Sequence, residues 1–195
     1  MRILFVCTGN TCRSPMAEGM LRKLARERGL DLQVRSAGVA AMKGAPISRH
    51  AEAVLRDHGI ADFFESTPLY AELAEWADLI LTLTQGHKRQ VVQAHPGTAE
   101  KIYTLKEYVA DDAKAQAELE ELQRLITDRE LARVLGRDWP AAEDRRLREL
   151  QQRMPAYDIS DPFGGSRADY DRAAAEIRAA LEKLISKLER GDDKI

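Results

Sequence analysis

RILFVCTGNTCRSP, residues 2–15, holds a short apolar run, both cysteines of the chain and the beginning of a helical pattern. The run from Arg2 to Val6 has the composition of a strand that is buried on both faces. Ser14 suits the N-cap of a helix, Pro15 its first position and Gly29 its end. Between them, apolar residues recur at helical spacing, at Ala17, Met20, Leu21 and Leu24. The stretch therefore predicts a strand, a loop and a helix.

Strand and helix patterns alternate along most of the chain. Further strands are predicted over residues 32–36, 77–83 and 101–105, and helices over residues 48–58, 67–76 and 85–94. A last helix is predicted after Ser166, with one apolar stripe made of Tyr170, Ala174, Ile177, Leu181, Leu184 and Leu188. Such alternation is typical of right-handed crossovers between parallel strands. It predicts an α/β fold, a three-layer sandwich whose four-stranded parallel sheet is flanked by helices.

Residues 111–156 interrupt this alternation. They are rich in Ala, Leu, Glu and Arg, and their apolar residues fall into two groups, Leu119, Leu122 and Ile126, then Leu131, Val134 and Leu135. The pattern predicts an inserted helical hairpin, with a further helix from about Pro140 to Arg153. The chain as a whole, residues 1–195, is predicted to be a single domain that carries this helical insertion.

Composition narrows the range of partners and locations. In 195 residues, 30 Lys and Arg face 32 Asp and Glu, a net charge of −2 that favours neither nucleic acid nor a membrane surface as partner. The N-terminal apolar run is too short for a signal peptide or a membrane helix, which predicts a cytoplasmic protein. Two cysteines cannot form a disulfide framework, so both are expected to be thiols with a chemical role.

The loop after the first strand has the residues of an anion site. Cys7 ends the strand, and open parallel sheets bind ligands at that edge. Gly9 and Asn10 tolerate positive φ, so the loop can turn its main-chain N–H groups inward toward an anion. A thiol in such surroundings, at a helix N-terminus, is stabilised as the thiolate. Arg13 offers a planar fork for two oxygens of an oxyanion, and Ser14 can donate a hydrogen bond to the sulfur. We expect Cys7 to be a nucleophile.

These residues carry a family resemblance. VCTGNTCRSPMAE, residues 6–18, resembles the signature loop of the low-molecular-weight protein-tyrosine phosphatases, and Asp161-Pro162 resembles their second marker, an Asp-Pro dipeptide late in the chain. The resemblance spans about residues 2–108 and then runs from Tyr157 to the last helix, which leaves the insertion uncovered. It implies that Cys7 forms a phosphocysteine and that Arg13 clamps the phosphate. It also implies that Asp161 is the general acid, which then activates water.

The same resemblance implies binding and supporting roles. The phosphate-binding residues are expected to be Thr8, Gly9, Asn10, Thr11, Cys12 and Ser14. Asn10 holds the loop in its strained turn with the help of Ser36, and Glu18 pairs with His50. The reaction of the family requires no metal and no cofactor, and its partners are phosphorylated proteins.

Two positions depart from the tyrosine-specific pattern. Thr11 stands where an aliphatic residue is usual, and Phe163-Gly164-Gly165 replaces the aromatic pair that often follows Asp-Pro. Both features resemble the bacterial protein-arginine-phosphatase branch of the family. A hydroxyl at Thr11 can satisfy the N–H donors of a guanidinium leaving group, which an aliphatic wall cannot. The favoured substrate is therefore protein phosphoarginine, with phosphotyrosine as the alternative.

Other readings stay open at this point. Cys7 and Cys12 are close enough in sequence to form a reversible disulfide, so a thiol redox sensor is an alternative, as is regulation of the catalytic thiol by that bond. A non-enzymatic phosphoprotein-binding module needs Arg13 but has no use for Asp161. Arsenate reductases on this scaffold use further cysteines, and the chain has none after Cys12. A zinc site does not fit the Cys and His spacings. The oligomeric state is not predicted.

Overall fold

The computed structural model describes residues 1–110, 113–153 and 157–191, with the side chains of these residues except at positions 113–116, 119, 123, 152 and 153. The strands are β1 (Arg2–Cys7), β2 (Gln33–Gly38), β3 (Leu79–Thr82) and β4 (Ile102–Thr104). The α-helices are α1 (Arg13–Arg28), α2 (Arg49–Asp57), α3 (Ala71–Trp76), α4 (Gln85–Ala94), α5 (Leu105–Tyr108), α6 (Ala113–Val134), α7 (Ala141–Arg153) and α8 (Arg167–Arg190). A 3₁₀-helix, Pro96–Lys101, precedes β4. Within the described residues, no helix combines the length and the hydrophobicity needed to span a membrane.

The four strands form one parallel sheet in the order β2-β1-β3-β4. Successive side chains of β1 point to opposite faces, so Ile3 and Phe5 pack into one hydrophobic cluster and Leu4 and Val6 into another. Helices α1, α2 and α8 cover the first face, and α3 and α4 cover the second. The predicted three-layer α/β sandwich is confirmed.

Two predicted helix starts are wrong. Helix α1 begins at Arg13 with Cys12 at the N-cap, so Ser14 lies inside the first turn, where its hydroxyl bonds to other side chains. Helix α3 begins at Ala71 rather than near Thr67. The main chain stays extended beside Gly38, whose N–H donates to Thr67 O at 2.9 Å. Gly38 O in turn accepts from Leu69 N at 2.9 Å. Pairing with the end of β2 thus delays the helix.

Other helix limits agree with the sequence signals. Gly29 ends α1 with φ of 68°, in the left-handed region that glycine enters without steric cost. Ser166 is the N-cap of α8, and the Asp169 carboxylate accepts from its N–H and its hydroxyl, both at 2.8 Å. The predicted stripe of α8, from Tyr170 to Leu184, is buried against the sheet.

Contacts divide the chain into two compact units, residues 1–109 with 157–195, and Ala110–Ala156. The second unit is built from α6 and α7, which pack through Leu125, Leu147 and Leu150. Arg146 of α7 donates to both carboxylate oxygens of Glu121 on α6, at 2.9 and 2.6 Å. Apart from Leu135, which directly follows its last residue, both predicted apolar groups of the hairpin lie on one continuous helix, α6, so the expected break between them is wrong. That the whole chain acts as a single domain stays a prediction.

Candidate active site

The Cys7 loop, residues 7–13, lies at the carboxyl end of β1 and leads directly into α1. Cys7 is buried and its thiol is free. The main-chain N–H groups of residues 8–12 donate no hydrogen bond to any residue that the structure describes. Together with the N-terminus of the 16-residue helix α1, they are available to an anion at this point.

Asn10 fixes the shape of the loop from the inside. It is the one described non-glycine residue with positive φ, at 53°, and it is fully buried. Its Nδ2 donates to Ser14 Oγ at 2.9 Å and to Ser36 Oγ at 2.8 Å, while its Oδ1 accepts from Thr67 N at 2.8 Å. The structure thus brings together Asn10 and Ser36 as the sequence predicts. Three hydrogen bonds offset the cost of the left-handed turn.

Ser14 contacts the sulfur of Cys7. Its Oγ lies 2.9 Å from Cys7 Sγ and 3.4 Å from Ala37 O. Because Ser14 Oγ accepts from Asn10, its own hydrogen is left for the sulfur or for that carbonyl, and the sulfur is nearer. The hydroxyl can therefore donate a hydrogen bond to the sulfur of Cys7.

Arg13, the last residue of the Cys7 loop, contacts Asp161. The Arg13 side chain is 6% exposed, and its Nη2 lies 3.2 Å from Asp161 Oδ1. Its Nη1 donates to Ile159 O at 3.3 Å, and its buried Nε has no hydrogen-bond partner among the described residues. A buried, unsatisfied guanidinium N–H is costly unless a ligand accepts from it. Arg13 is therefore placed to bind an oxyanion.

The Asp161 carboxylate is oriented by one oxygen only. Its Oδ1 accepts from Phe163 N at 3.1 Å and faces Arg13, whereas Oδ2 has no hydrogen bond with any described residue. The side chain is 60% exposed. A carboxyl group with one anchored and one open oxygen can exchange its proton with water and with a bound molecule.

Glu18 does not pair with His50, and this prediction is wrong. Glu18 accepts from Ser36 Oγ at 2.5 Å and forms an ion pair with Arg22, one turn further along α1. Its burial raises its pKa, and the Ser36 and Arg22 contacts only partly oppose that shift. His50 instead packs its ring against Tyr170, with centroids 5.2 Å apart. Glu18 supports the loop through Ser36, which links it to Asn10.

His87 is a site residue that the sequence analysis missed. It is 6% exposed, and its Nε2 lies 2.8 Å from Thr8 Oγ1 in the Cys7 loop. Burial, with a further contribution from the charge of Arg13, lowers its pKa to about 4, so the ring is neutral at neutral pH. The signal was its place near the start of α4, the helix that follows β3, because the carboxyl ends of neighbouring parallel strands meet at one edge of the sheet.

Gly38 is a second residue of the site that was not predicted from the sequence. It ends β2 beside the Cys7 loop, and a Cβ there would lie 2.5 Å from Thr8 O and 2.8 Å from Asn10 N, both main-chain atoms. Any side chain at this position would displace the loop. The sequence gives no sign of this contact, because it depends on the register that pairs Cys7 with Gly38.

Thr11 and Cys12 complete the loop. Cys12 Sγ lies 3.2 Å from the Tyr170 hydroxyl and 3.5 Å from Thr11 Oγ1. No other hydrogen bond with a described residue engages Thr11 Oγ1, so this hydroxyl is available to a bound molecule. A Cβ at Gly9 would lie 3.5 Å from Thr11 Oγ1, an ordinary van der Waals contact, so packing against this hydroxyl does not require glycine at position 9.

Comparison with known proteins agrees with this geometry. The sequence family described as low molecular weight phosphotyrosine protein phosphatase matches residues 2–135. The chain belongs to this family. A protein-arginine-phosphatase from Bacillus subtilis is 40% identical over 190 residues, which cover 97% of this chain and 98% of the relative. A protein-arginine-phosphatase from Geobacillus stearothermophilus is 34% identical over 188 residues, 96% of each chain. The comparisons thus confirm the family and the arginine-phosphatase branch that the sequence motifs indicated.

A solved structure adds a chemical observation about a relative. It is a mutant of the YwlE arginine phosphatase in which the active-site cysteine is replaced by a serine, and that serine is phosphorylated. It superposes with a TM-score of 0.72 at 33% identity, covering 97% of this chain and 96% of the other. In that protein, the position of the cysteine accepts a phosphoryl group.

Proposed function

We propose that this member of the family hydrolyses phosphoarginine residues of proteins through a phosphocysteine at Cys7. The main observation is that three groups lie at one edge of the sheet. They are the buried Cys7 thiol, in a loop whose N–H groups donate to no described residue, the Arg13 guanidinium, whose Nε has no partner among the described residues, and the exposed Asp161 carboxyl group that contacts Arg13. Each suits one part of phosphoryl transfer, namely attack, charge stabilisation and proton transfer. The similarity to named arginine phosphatases supports the choice of substrate.

In the first step, the Cys7 thiolate attacks phosphorus and an S–P bond forms. The P–N bond breaks, and its electron pair goes to the guanidine nitrogen, which takes the proton of the Asp161 carboxyl group. Arg13 and the N–H groups of the loop hold the three phosphoryl oxygens as charge moves between them. Arginine leaves, and phosphocysteine and the Asp161 carboxylate remain.

In the second step, water replaces arginine. The Asp161 carboxylate removes a proton from the water as its oxygen attacks phosphorus. The S–P bond breaks, its electron pair returns to sulfur, and inorganic phosphate leaves. The site is then in its initial state, with the thiolate stabilised by Ser14 and the acid reprotonated.

Two features support a guanidinium leaving group over a phenol. Thr11 Oγ1 has spare hydrogen-bonding capacity in the loop, which an N–H-rich leaving group uses and a phenol ring does not. Beyond Asp161, Phe163 is 79% exposed and two glycines follow it, so this side offers little aromatic wall. Gly164 has φ of 72°, a conformation that disfavours a larger residue there.

The test is a ratio of kcat/KM values. We expect protein phosphoarginine to be preferred over phosphotyrosine in the same sequence context, and Thr11→Ile to shift the ratio toward phosphotyrosine by roughly tenfold or more, as for a lost hydrogen-bond partner. Thr127→Ile on the exposed surface of α6 is the matched control and leaves the ratio unchanged. A ratio that is equal in wild type and Thr11→Ile contradicts the proposed role of Thr11.

We further propose that Cys7 and Cys12 form a reversible disulfide under oxidation. Peroxide oxidises the Cys7 thiolate to a sulfenic acid, and the Cys12 thiol condenses with it, releasing water. Both cysteines are buried free thiols of the same loop. Wild type treated with peroxide is expected to recover with dithiothreitol and Cys12→Ser is not; equal recovery of the two proteins contradicts the proposal.

A further inference from the structure

The Asp161 loop, residues 157–165, is held at several points before it reaches Asp161. Ile159 N donates to Leu83 O at 2.8 Å, next to the end of β3. The Asp158 carboxylate accepts from Gln85 N at 2.7 Å, at the N-terminus of α4. These bonds fix the beginning of the loop to the sheet edge but do not reach the residue directly before Asp161.

A second set of contacts comes from α8 and α5. Glu176 Oε1 accepts from Ser160 Oγ at 2.7 Å, and Glu176 Oε2 accepts from Lys106 Nζ at 2.6 Å. Lys106 Nζ also donates to Asp158 O at 2.8 Å. One carboxylate and one ammonium group therefore hold the residues on both sides of Ile159, up to the neighbour of Asp161.

The ion pair between Lys106 and Glu176 is partly buried, unlike a surface salt bridge. The side chains of Lys106 and Glu176 are each 27% exposed, so water screens them less than an open ion pair. Burial opposes ionisation of Glu176, yet the hydrogen bonds from Lys106 and Ser160 outweigh it and lower the pKa of this carboxyl group. Both oxygens of an ionised carboxylate are thus engaged in hydrogen bonds.

We infer that Glu176, with Lys106 and Ser160, is a positioning device for the general acid. It rests on the proposed function, in which Asp161 protonates the leaving group. Asp161 itself is largely exposed and is anchored only through Oδ1, so its aim depends on the main chain that precedes it. Ser160 directly precedes Asp161, and the hydrogen bond to Glu176 fixes the position of Ser160.

A purely structural role for Glu176 makes a different prediction. If the pair only fastens α5 to α8, its loss lowers activity equally for every substrate or not at all. If it aims the acid, its loss matters most for leaving groups that need a proton. A series of aryl phosphates whose phenols differ in acidity separates the two cases, because kcat/KM reports only the steps up to release of the phenol.

The experiment compares Ser160→Ala, Glu176→Gln and Asp161→Asn with wild type across this series. For Ser160→Ala and Glu176→Gln, we expect kcat/KM to fall roughly tenfold with the least acidic phenol and less than about twofold with the most acidic one. Asp161→Asn shows the same trend more strongly. Glu182→Gln, which removes an exposed charge of the same helix, is the control and follows wild type.

The outcomes separate the inference from the function on which it rests. If kcat/KM of Ser160→Ala and Glu176→Gln falls equally for all phenols, or does not fall, the positioning role is overturned. If kcat/KM of Asp161→Asn still depends more steeply on the acidity of the phenol than that of wild type, Asp161 remains the general acid. An unchanged dependence in Asp161→Asn removes the acid itself and the inference with it. Thermal unfolding of each variant shows whether a uniform loss comes from misfolding, and Ser160→Ala, which deletes one hydroxyl, keeps the test valid if Glu176→Gln does not fold.

Discussion

The Cys7 loop and the Asp161 loop serve one site but are built differently. The first is enclosed: Asn10 and Arg13 are buried, and the side-chain amide of Asn10 donates to the buried hydroxyls of Ser14 and Ser36. The second ends in a carboxyl group that is 60% exposed, with one free oxygen. In the proposed mechanism, a phosphoryl group is bound in the same place through both steps, which favours a rigid cradle. A proton has to come from and return to water, which favours an open acid.

This contrast predicts which property each loop controls. Changes in the Cys7 loop should weaken the binding of phosphate and its analogues as well as turnover. Changes in the Asp161 loop should lower turnover and leave phosphate binding intact.

The largest effect is expected for Arg13→Lys. Lysine is a point charge that cannot replace the fork of donors around the bound oxygens, so kcat/KM should fall roughly 1,000-fold. Inhibition by orthovanadate should weaken in parallel. Arg26→Lys, on the exposed part of α1, is the control and should match wild type in both measurements. If Arg13→Lys also matched wild type, the Arg13 guanidinium would have only a structural role.

Asp161→Asn should come next, with kcat reduced roughly 100-fold by the loss of proton transfer. The affinity for inorganic phosphate, measured as competitive inhibition, should stay the same or improve because a negative charge is removed. Phosphate binding that collapses in this variant would break the proposed division between the two loops.

Asn10 tests the rigid side of the comparison through stability. Asn10→Ala loses three hydrogen bonds and keeps a Cβ in a left-handed turn, whereas Asn10→Gly loses the same bonds but removes that Cβ. We expect both variants to unfold at lower denaturant concentration, with Asn10→Ala less stable than Asn10→Gly by about 1 kcal/mol. Equal stability of the two would show that the positive φ costs nothing here.

His87 leaves the protein unaffected at neutral pH and gives an effect on stability that is visible only in acid. Its pKa falls from 6.5 to about 4 on folding, so its contribution to stability is present above pH 6.5 and is lost as the pH falls toward 4. At about 1.4 kcal/mol per pKa unit, the loss is roughly 3 kcal/mol. His87→Gln can still bond to Thr8 and should lose less stability than wild type between pH 7 and 4; His95→Gln is the control. Parallel pH profiles for His87→Gln and wild type would contradict the buried neutral ring.

The contrast between the two loops also explains how much of the site can be predicted from the sequence. The Cys7 loop is local: strand, glycine, asparagine, arginine and helix follow one another within a few residues, so chain order alone predicts the anion site. The fold was predictable because hydrophobic alternation extends over many residues and averages out local errors. Single helix starts were harder to predict, since Ser14 bonds to Cys7 and Asn10, and Thr67 pairs with Gly38, instead of beginning a helix.

Contacts between segments that are distant in sequence could not be predicted. Glu18 has Ser36 of β2 as partner rather than His50, because the register of β1 and β2 places Ser36 under the loop. The contact of Gly38 with the Cys7 loop depends on the same register, and the place of His87 after β3 becomes informative only once β3 is known to lie next to β1. The tether from Glu176 to Ser160 joins α8 to a loop and leaves no periodic signal in the sequence.

The most direct test is covalent trapping at Cys7 in Asp161→Asn. With a highly acidic phenol as leaving group, the first step needs no general acid, while hydrolysis of the intermediate still needs a general base. Mixing this variant with such an aryl phosphate, quenching in acid and mapping peptides by mass spectrometry should place one phosphoryl group on Cys7, with phenol released in an equal amount. Phenol release without a phosphoryl group on Cys7, or with the group on another residue, would contradict the proposed mechanism.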